Sequence, residues 1–223
     1  SVTQRRLAVS RNSNTPLDTA MAEACGRRIG ESVEKQTLGT ETGVAYGGQT
    51  TGVTQHDTSG SLGASKVYGY TTFPHRTTKT NVTVPTGSNP ESTIADILAM
   101  RKTLNDNNFF GPFIIYHSTD WDQYMDNDYA RLGGANANMT LRDRIKKIDN
   151  IMDVRRVDYL TSTYTFIMAQ MDSNTAQAVI GQDLTTVQWE GLGGLLQSFR
   201  SFAIMLPRLK STFSGTSAIL HAT

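Results

Sequence analysis

Four acids fall within ten residues, Asp120, Asp122, Asp126 and Asp128 in the stretch DWDQYMDNDY, and carboxylates this dense could hold calcium or magnesium. A calcium loop of the helix-loop-helix kind needs a glycine at its sixth position and a bidentate glutamate at its twelfth, and neither falls in register here. The plainer reading is a set of acids at a helix N-terminus, where they meet the positive end of the helix dipole. A hydrolase or metal enzyme built on Asp120 to Asp128 is the enzymatic alternative.

A second stretch, GLGGLLQSFRSFAIMLP from Gly191 to Pro207, has the glycines of a phosphate cradle. A Walker loop needs Lys and then Ser or Thr after its last glycine, and leucines stand there instead. A dinucleotide fingerprint needs a third glycine at its proper offset inside a strand-helix-strand unit, which is missing too. What remains is a turn between TTVQWE and LLQSFRSFAIMLP. Beyond it, Leu195, Phe199, Phe202 and Leu206 fit a helical stripe. Phe199, Ala203 and Met205 against Arg200, Phe202 and Ile204 fit equally well a strand buried on both faces.

His56, His75, His117 and His221 lie far apart, without the i, i+4 spacing or paired cysteines of a zinc motif, and read as exposed or core-satisfied side chains. Ser118 beside His117 has no nucleophile motif around it. Asn81-Val82-Thr83 and Asn138-Met139-Thr140 match the glycosylation triplet, but no secretory signal accompanies them. The residues offer no catalytic constellation, no cofactor motif and no metal motif.

The totals agree with a folded chain whose partners are not chosen by bulk charge. Among 223 residues, 21 basic and 20 acidic side chains leave a net charge of +1, so any contact with nucleic acid must be local. The basic pairs Arg5 and Arg6, Arg27 and Arg28, Lys146 and Lys147, and Arg155 and Arg156 lack interleaved aromatics and read as solvated faces or salt links. A single cysteine, Cys25, rules out an internal disulfide and suits a reducing compartment. No apolar run approaches the roughly 20 residues that span a bilayer. The chain opens without Met at SVTQRRLAVSRNSNTPLD, in mid-pattern, as a fragment or processed product would.

The elements that must position these residues are legible in outline. Thr15, Pro16 and Asp18 form a helix start, and Leu17, Met21, Ala24, Cys25, Ile29, Val33 and Gln36 recur at helical spacing, predicting one long amphipathic helix from about Leu17 to Leu38. Gly26 and Gly30 inside it are either tolerated or mark a close approach of another backbone. Residues 39 to 65 read as a Gly, Thr and Ser-rich loop, and KVYGYTTFPHRTTKTNVTVP as extended chain on a surface. Asn89 and Pro90 start a second helix with a stripe of Ile94, Ile97, Leu98, Arg101 and Leu104. FIIYHS reads as a short buried strand, Asp120 and Asp122 open a short helix, and Thr140 with Asp143 caps another whose apolar face is Leu141, Ile145 and Ile148. MDVRRVDYL and TYTFIMAQMD read as strands, and SNTAQAVIGQD as one more short helix. This order gives an α+β chain, not a regular α/β alternation.

The ordered segments RRLAVSRNSNTPLDTAMAEACGRRIGESVEKQTLG, VYGYTTFPHRT, FFGPFIIYHSTDWDQYMDNDY, TLRDRIKKIDNIMDVRRVDYL, MAQMDSNTAQAVIGQDLTTVQWE and FAIMLPRLKSTFSGTSAILH cover most of the chain. Together they resemble the major capsid proteins of tailed bacteriophages, in a branch similar to the encapsulins, which share the Hong Kong 97-type capsid fold. The resemblance implies a peripheral domain with a long spine helix and a β-sheet, an axial α/β domain, and a partial extended loop. On that pattern residues 1–15 are the second arm of the extended loop, 16–90 the peripheral domain with its surface loop, 91–183 the axial domain, and 184–223 the return strands of the peripheral domain. Gly191, Gly193 and Gly194 then supply positive φ in a hairpin-like turn before a buried strand running to Leu206.

The implied function is that of a structural subunit, not an enzyme, which self-assembles into hexamers and pentamers of an icosahedral phage head around double-stranded DNA. The alternative is an encapsulin-like compartment around a cargo enzyme. The implied partners are copies of itself, a portal, decoration or scaffolding proteins, and DNA held non-specifically, with no cofactor and no membrane. The implied setting is the virion, assembled in the host cytoplasm. Arg5 and Arg6 on the extended arm, Arg27, Glu31 and Glu34 on the long helix, and Arg76 after Pro74 are the candidate intersubunit ionic contacts.

Overall fold

A computed structural model describes residues 2–3, 9, 17–41, 67–84, 90–127, 139–160, 164–193 and 195–223. The loop expected over 39–65, from residue 42 on, Arg5 and Arg6, most of the expected extended arm, the helix-start residues Thr15 and Pro16, His56, Asp128, Asn138 and Gly194 lie outside the described residues. The chain divides into two compact units, one of residues 1–34 and 178–206, the other of 35–177 and 207–223.

The second unit is built on a five-stranded sheet. Its strands are β2 (Thr77–Lys79), β3 (Phe113–His117), β4 (Ile151–Arg156), β5 (Phe166–Gln170) and β8 (Ile219–Ala222), in the order β2-β8-β5-β3-β4. β5 runs antiparallel to both β3 and β8, while β4 is parallel to β3 and β2 parallel to β8. Because side chains alternate along a strand, each run supplies both faces of the sheet. Phe113, Ile115, Phe166, Met168, Leu220 and Ala222 enter one core cluster. Ile167, Ala169 and Ile219 enter the other, with Leu38, Phe73, Val157 and Leu160. FIIYHS is therefore a strand buried on both faces, as its β-branched, uninterrupted character predicts.

Helices cover the first cluster. The helix Glu91–Asp106 buries Thr93, Ile94, Ile97, Met100 and Leu104. Leu98 of the expected stripe is instead exposed, Met100 takes the inward position, and Arg101 donates from Nη1 to the Asp149 carbonyl at 2.7 Å. The stripe follows three-residue steps more closely than the Leu98 spacing allowed. The 3-10 turn Thr119–Trp121 leads into the short helix Asp122–Met125, and Trp121 is fully buried against Phe166 with ring centroids 4.3 Å apart. The helix Leu141–Lys146 starts as predicted: the Thr140 hydroxyl accepts from the Asp143 amide, and Leu141, Ile145 and Ile148 are buried.

The segment 67–84 is more than surface chain. It contributes the edge strand β2 and buries Phe73, with Tyr68 and Tyr70 packed against the same cluster. It also holds the end of the long helix Leu17–Leu38. There Gly39, at φ +90°, closes the last turn by donating to the Lys35 carbonyl at 2.9 Å. The Tyr70 amide donates to the Thr37 carbonyl, and the Thr71 hydroxyl to that of Leu38 at 2.7 Å, so orphan carbonyls of the helix end are satisfied by this turn.

The first unit contains β1 (Val2–Thr3), most of the long helix, and the hairpin of β6 (Ala176–Gly191) and β7 (Leu196–Leu209), in sheet order β1-β7-β6. The helix expected over SNTAQAVIGQD does not form. Asp172 closes a local turn, accepting from the side chains of Ser173 and Asn174 while its carbonyl accepts from the Thr175 amide, and from Ala176 the chain is strand. The residues that mimic a helix start make an isolated turn, and Val179 and Ile180 then follow their β preference once β7 pairs with them.

The packing of the second unit can be tested at two points. A Cβ on Gly69 would collide with the backbone of Gly39, so Gly69→Ala should cost about 1–3 kcal/mol in denaturant unfolding; an unchanged midpoint would contradict this docking. Burial lowers the pKa values of His221, to about 4 with help from the charge of Arg76, and of His117. An unfolded histidine titrates near 6.5, so the unfolded chain takes up protons first, and stability that is intact above about pH 6.5 falls as pH drops toward 4. The melting temperature should fall across this window and His221→Gln should flatten the slope; a wild-type slope in the variant would contradict the assignment.

Candidate functional site

The acidic cluster is the first place to look for chemistry, and its geometry is that of an ionic network. Asp122 Oδ2 lies 2.7 Å from Arg156 Nη1 and its Oδ1 3.7 Å from Arg142 Nη2. Arg142 reaches Asp126 at 3.0 Å and Arg156 reaches Asp158 at 2.6 Å. Two guanidiniums thus occupy the space beside these carboxylates that a cation would need, and guanidinium matches carboxylate geometry well. His117 is buried beside them, its Nδ1 3.0 Å from the Ser118 carbonyl and 4.0 Å from Asp122 Oδ1. Burial is the main cause of its lowered pKa, which keeps the imidazole neutral at pH 7. Among the described residues no three of His, Cys, Asp and Glu are grouped to hold a metal.

Arg27, Lys146 and Arg155, from the other described basic pairs, also find acids. Lys146 Nζ and Arg155 Nε both lie 2.8 Å from Asp153, whose carboxyl they hold far below the usual range. Arg27 Nε lies 3.0 Å from Glu31 one turn along the helix, with the Arg27 side chain largely exposed, and Glu34 is exposed on the same helix. Arg76 is tied to its own loop, donating from Nη1 to the Phe73 carbonyl at 2.7 Å, and burial lowers its pKa. Of the six candidate contact residues, Arg27 and Glu31 meet each other, and Arg5 and Arg6 lie outside the described residues.

Among the described residues, the first unit presents many exposed apolar side chains. β6 and β7 form by strand preference: Val179, Ile180, Thr185, Thr186, Val187 and Trp189 favour extended chain, and the Thr186 and Ser201 hydroxyls bond across the strands at 2.8 Å. The turn uses Leu192 at φ 52° and Gly193 at φ 63°. Gly191, expected to supply a positive φ, does not; Leu192 takes that conformation instead, at a steric cost that glycine would avoid.

The strand expected to be buried as far as Leu206 is not. Among the described residues of this unit only Gln197 is buried. Val179, Val187 and Trp189 stand exposed on one face of β6 and Ile180 and Leu184 on the other, with Ile204 and Leu206 on β7. At the tip Leu192 and Leu195 are 77% and 71% exposed. The long helix adds exposed Met21 and Cys25, and Ile29 and Val33 only half-buried, so its apolar stripe is not covered within the unit. Neither helix glycine marks a close backbone approach: a Cβ on Gly26 would meet only the Leu184 side chain, at an ordinary 3.6 Å, and nothing lies within 4 Å of one on Gly30.

Sequence reasoning missed this surface although a signal existed. Residues 179–189 place large apolar side chains at both odd and even positions without lying between neighbouring strands on both sides, since β6 is the last strand of its sheet. Contiguous exposed apolar area of this kind marks an interaction surface.

The cluster at Asp122 makes a direct prediction. Asp122→Asn should cost no more than about 1 kcal/mol for each half-exposed pair it loses, and calorimetric titration with Ca²⁺ or Mg²⁺ should show no saturable heat; saturable binding that disappears in the variant would restore the enzymatic reading.

No protein-family model matches the sequence, and no curated protein matches it. Among solved structures the chain is similar to the capsid of Myoviridae phage XM1, at 11% identity and a TM-score of 0.70, over 100% of this chain and 70% of that one. It is also similar to the virus-like particle from Pyrococcus furiosus, at 16% identity and a TM-score of 0.52, over 69% of this chain and 58% of that one. The chain thus spans somewhat over half the length of the particle chain it matches. At these identities the likeness is one of fold: this mixed α+β chain has a phage-capsid fold of the Hong Kong 97 type.

Proposed function

We propose that the chain is a structural shell subunit, the major capsid protein of a tailed phage, which assembles with copies of itself into hexamers and pentamers of an icosahedral head around double-stranded DNA. The observation that carries this reading is the first unit: a helix and a long hairpin with almost nothing buried, in a chain whose fold is that of a phage capsid. Nine large apolar side chains stand exposed on the hairpin and its tip, namely Val179, Ile180, Leu184, Val187, Trp189, Leu192, Leu195, Ile204 and Leu206. Completing the burial of each would contribute about 1 kcal/mol, or on the order of 10 kcal/mol together. That is comparable with the roughly 4–15 kcal/mol that association costs, so contacts repeated around a closed assembly are needed to make it stable.

In this reading residues 1–15 form part of an extended arm, 16–90 and 184–223 a peripheral domain and 91–183 an axial domain. Arg5, Arg6, Arg27, Glu31, Glu34 and Arg76 serve as ionic contacts between copies, each worth at most about 1 kcal/mol and effective through repetition. The absence of a catalytic role is part of the same proposal. A portal, decoration or scaffolding proteins, and assembly in the host cytoplasm belong to it as well.

The likeness to a virus-like particle supports a second reading, an encapsulin-like compartment around a cargo protein. The content separates the two: nuclease-protected DNA supports the phage head, a packaged enzyme the compartment.

Sedimentation velocity tests assembly itself. The wild-type chain should sediment as large closed particles, and Leu184→Lys with Trp189→Lys should shift it to single subunits whose second unit keeps its near-ultraviolet circular dichroism. Particles that tolerate both substitutions, or a wild-type chain that stays monomeric, would contradict the reading.

A further inference from the structure

The three sheet edges fully in view are treated very differently by the sequence. In the five-stranded sheet, the edge strand β2 has three residues and ends in Lys79. The other edge strand, β4, carries Asp153, Arg155 and Arg156, and its pairing with β3 contains a register shift. Short length, charge and irregularity are the devices by which proteins keep a sheet edge from pairing with another chain. β6 is neither short nor basic, and its charges, Asp183 and Glu190, stand at the two ends of its central segment. It is an edge strand of 16 residues with no proline and no lysine or arginine, and from Leu184 to Trp189 it runs six residues, LTTVQW, without charge or glycine. A neutral segment of this β preference, left open, is a template for another strand.

We propose that the outer edge of β6 is a strand-addition site for a second copy of this chain, which pairs along Leu184–Trp189 through main-chain hydrogen bonds. The proposal rests on the shell reading and specifies how its copies join. The occupant follows from continuity: the edge borders the same apolar side chains, Leu184, Val187 and Trp189, that lack cover in the subunit, so one incoming strand satisfies the open amides and covers those neighbours together.

The charges at the ends of the segment say which strand it is not. If two copies paired β6 with β6 antiparallel and centred on this segment, Asp183 of each would face Glu190 of the other, and like charges directly opposite are destabilising. The incoming strand is therefore a different part of the neighbouring copy. Such a head-to-tail contact generates a ring when its rotation closes.

Residue-resolved hydrogen exchange on assembled particles and on unassembled subunits tests this. In the subunit, amides along 184–189 should alternate between slow, where they bond to β7, and fast, where they face the open edge. In the particle the fast set should slow by roughly fivefold or more, the effect of a hydrogen bond of about 1 kcal/mol, and the alternation should vanish. Alternation that persists in intact particles would overturn the proposal and leave the shell reading standing. A wild-type chain that forms no particles would overturn both.

Discussion

Hydrophobic burial is divided unequally along this chain, and the rest of its structure follows from that division. The unit of residues 35–177 and 207–223 encloses two clusters, one on each face of its sheet, with Trp121, Phe113 and Phe166 fully buried. The unit of residues 1–34 and 178–206 has comparable secondary structure but buries only Gln197 among its described residues. Burial of apolar surface is the dominant favourable term in both folding and association. A unit that cannot satisfy it internally is stabilised by what covers it, which in the proposed shell would be identical copies related by symmetry.

The polar interactions are subordinate to this constraint but define the local geometry. The long helix is held at its C-terminal end, where Leu38 is buried, Gly39 turns the chain, and Tyr70 and Thr71 donate to the Thr37 and Leu38 carbonyls. The Arg142, Arg156 and Asp122 network, which the sequence presents as a possible cation site, joins the segment after β3 to the start of the helix Leu141–Lys146 and to the end of β4. Exposed pairs of this sort are worth at most about 1 kcal/mol each, so they tune positions that the hydrophobic clusters have already set.

What the sequence revealed and what it hid divide along physical lines. Local signals were reliable where one interaction decides the outcome: the helix Leu17–Leu38, the Thr140 cap and the β-branched run of β3 are all read directly from neighbouring residues. They failed where a distant partner decides. Asp172 to Thr175 mimic a helix start, and only pairing with β7 turns the residues beyond into strand. Asp120 and Asp122 do lie in first helical turns, as expected, but the arginines that neutralise Asp122 lie 20 and 34 residues away and could not be read from its neighbours. Burial was the hardest property to read. The apolar pattern of Phe199, Phe202 and Ile204 is the same whether a strand is covered by its own chain or by another copy.

The most direct test of the shell reading is a reconstruction of the purified protein by electron cryomicroscopy. Closed shells are expected, in which Leu184, Val187, Trp189 and the exposed face of the helix Leu17–Leu38 are buried between copies. Shells in which these side chains still face solvent, or a protein that forms only monomers or open filaments, would contradict it.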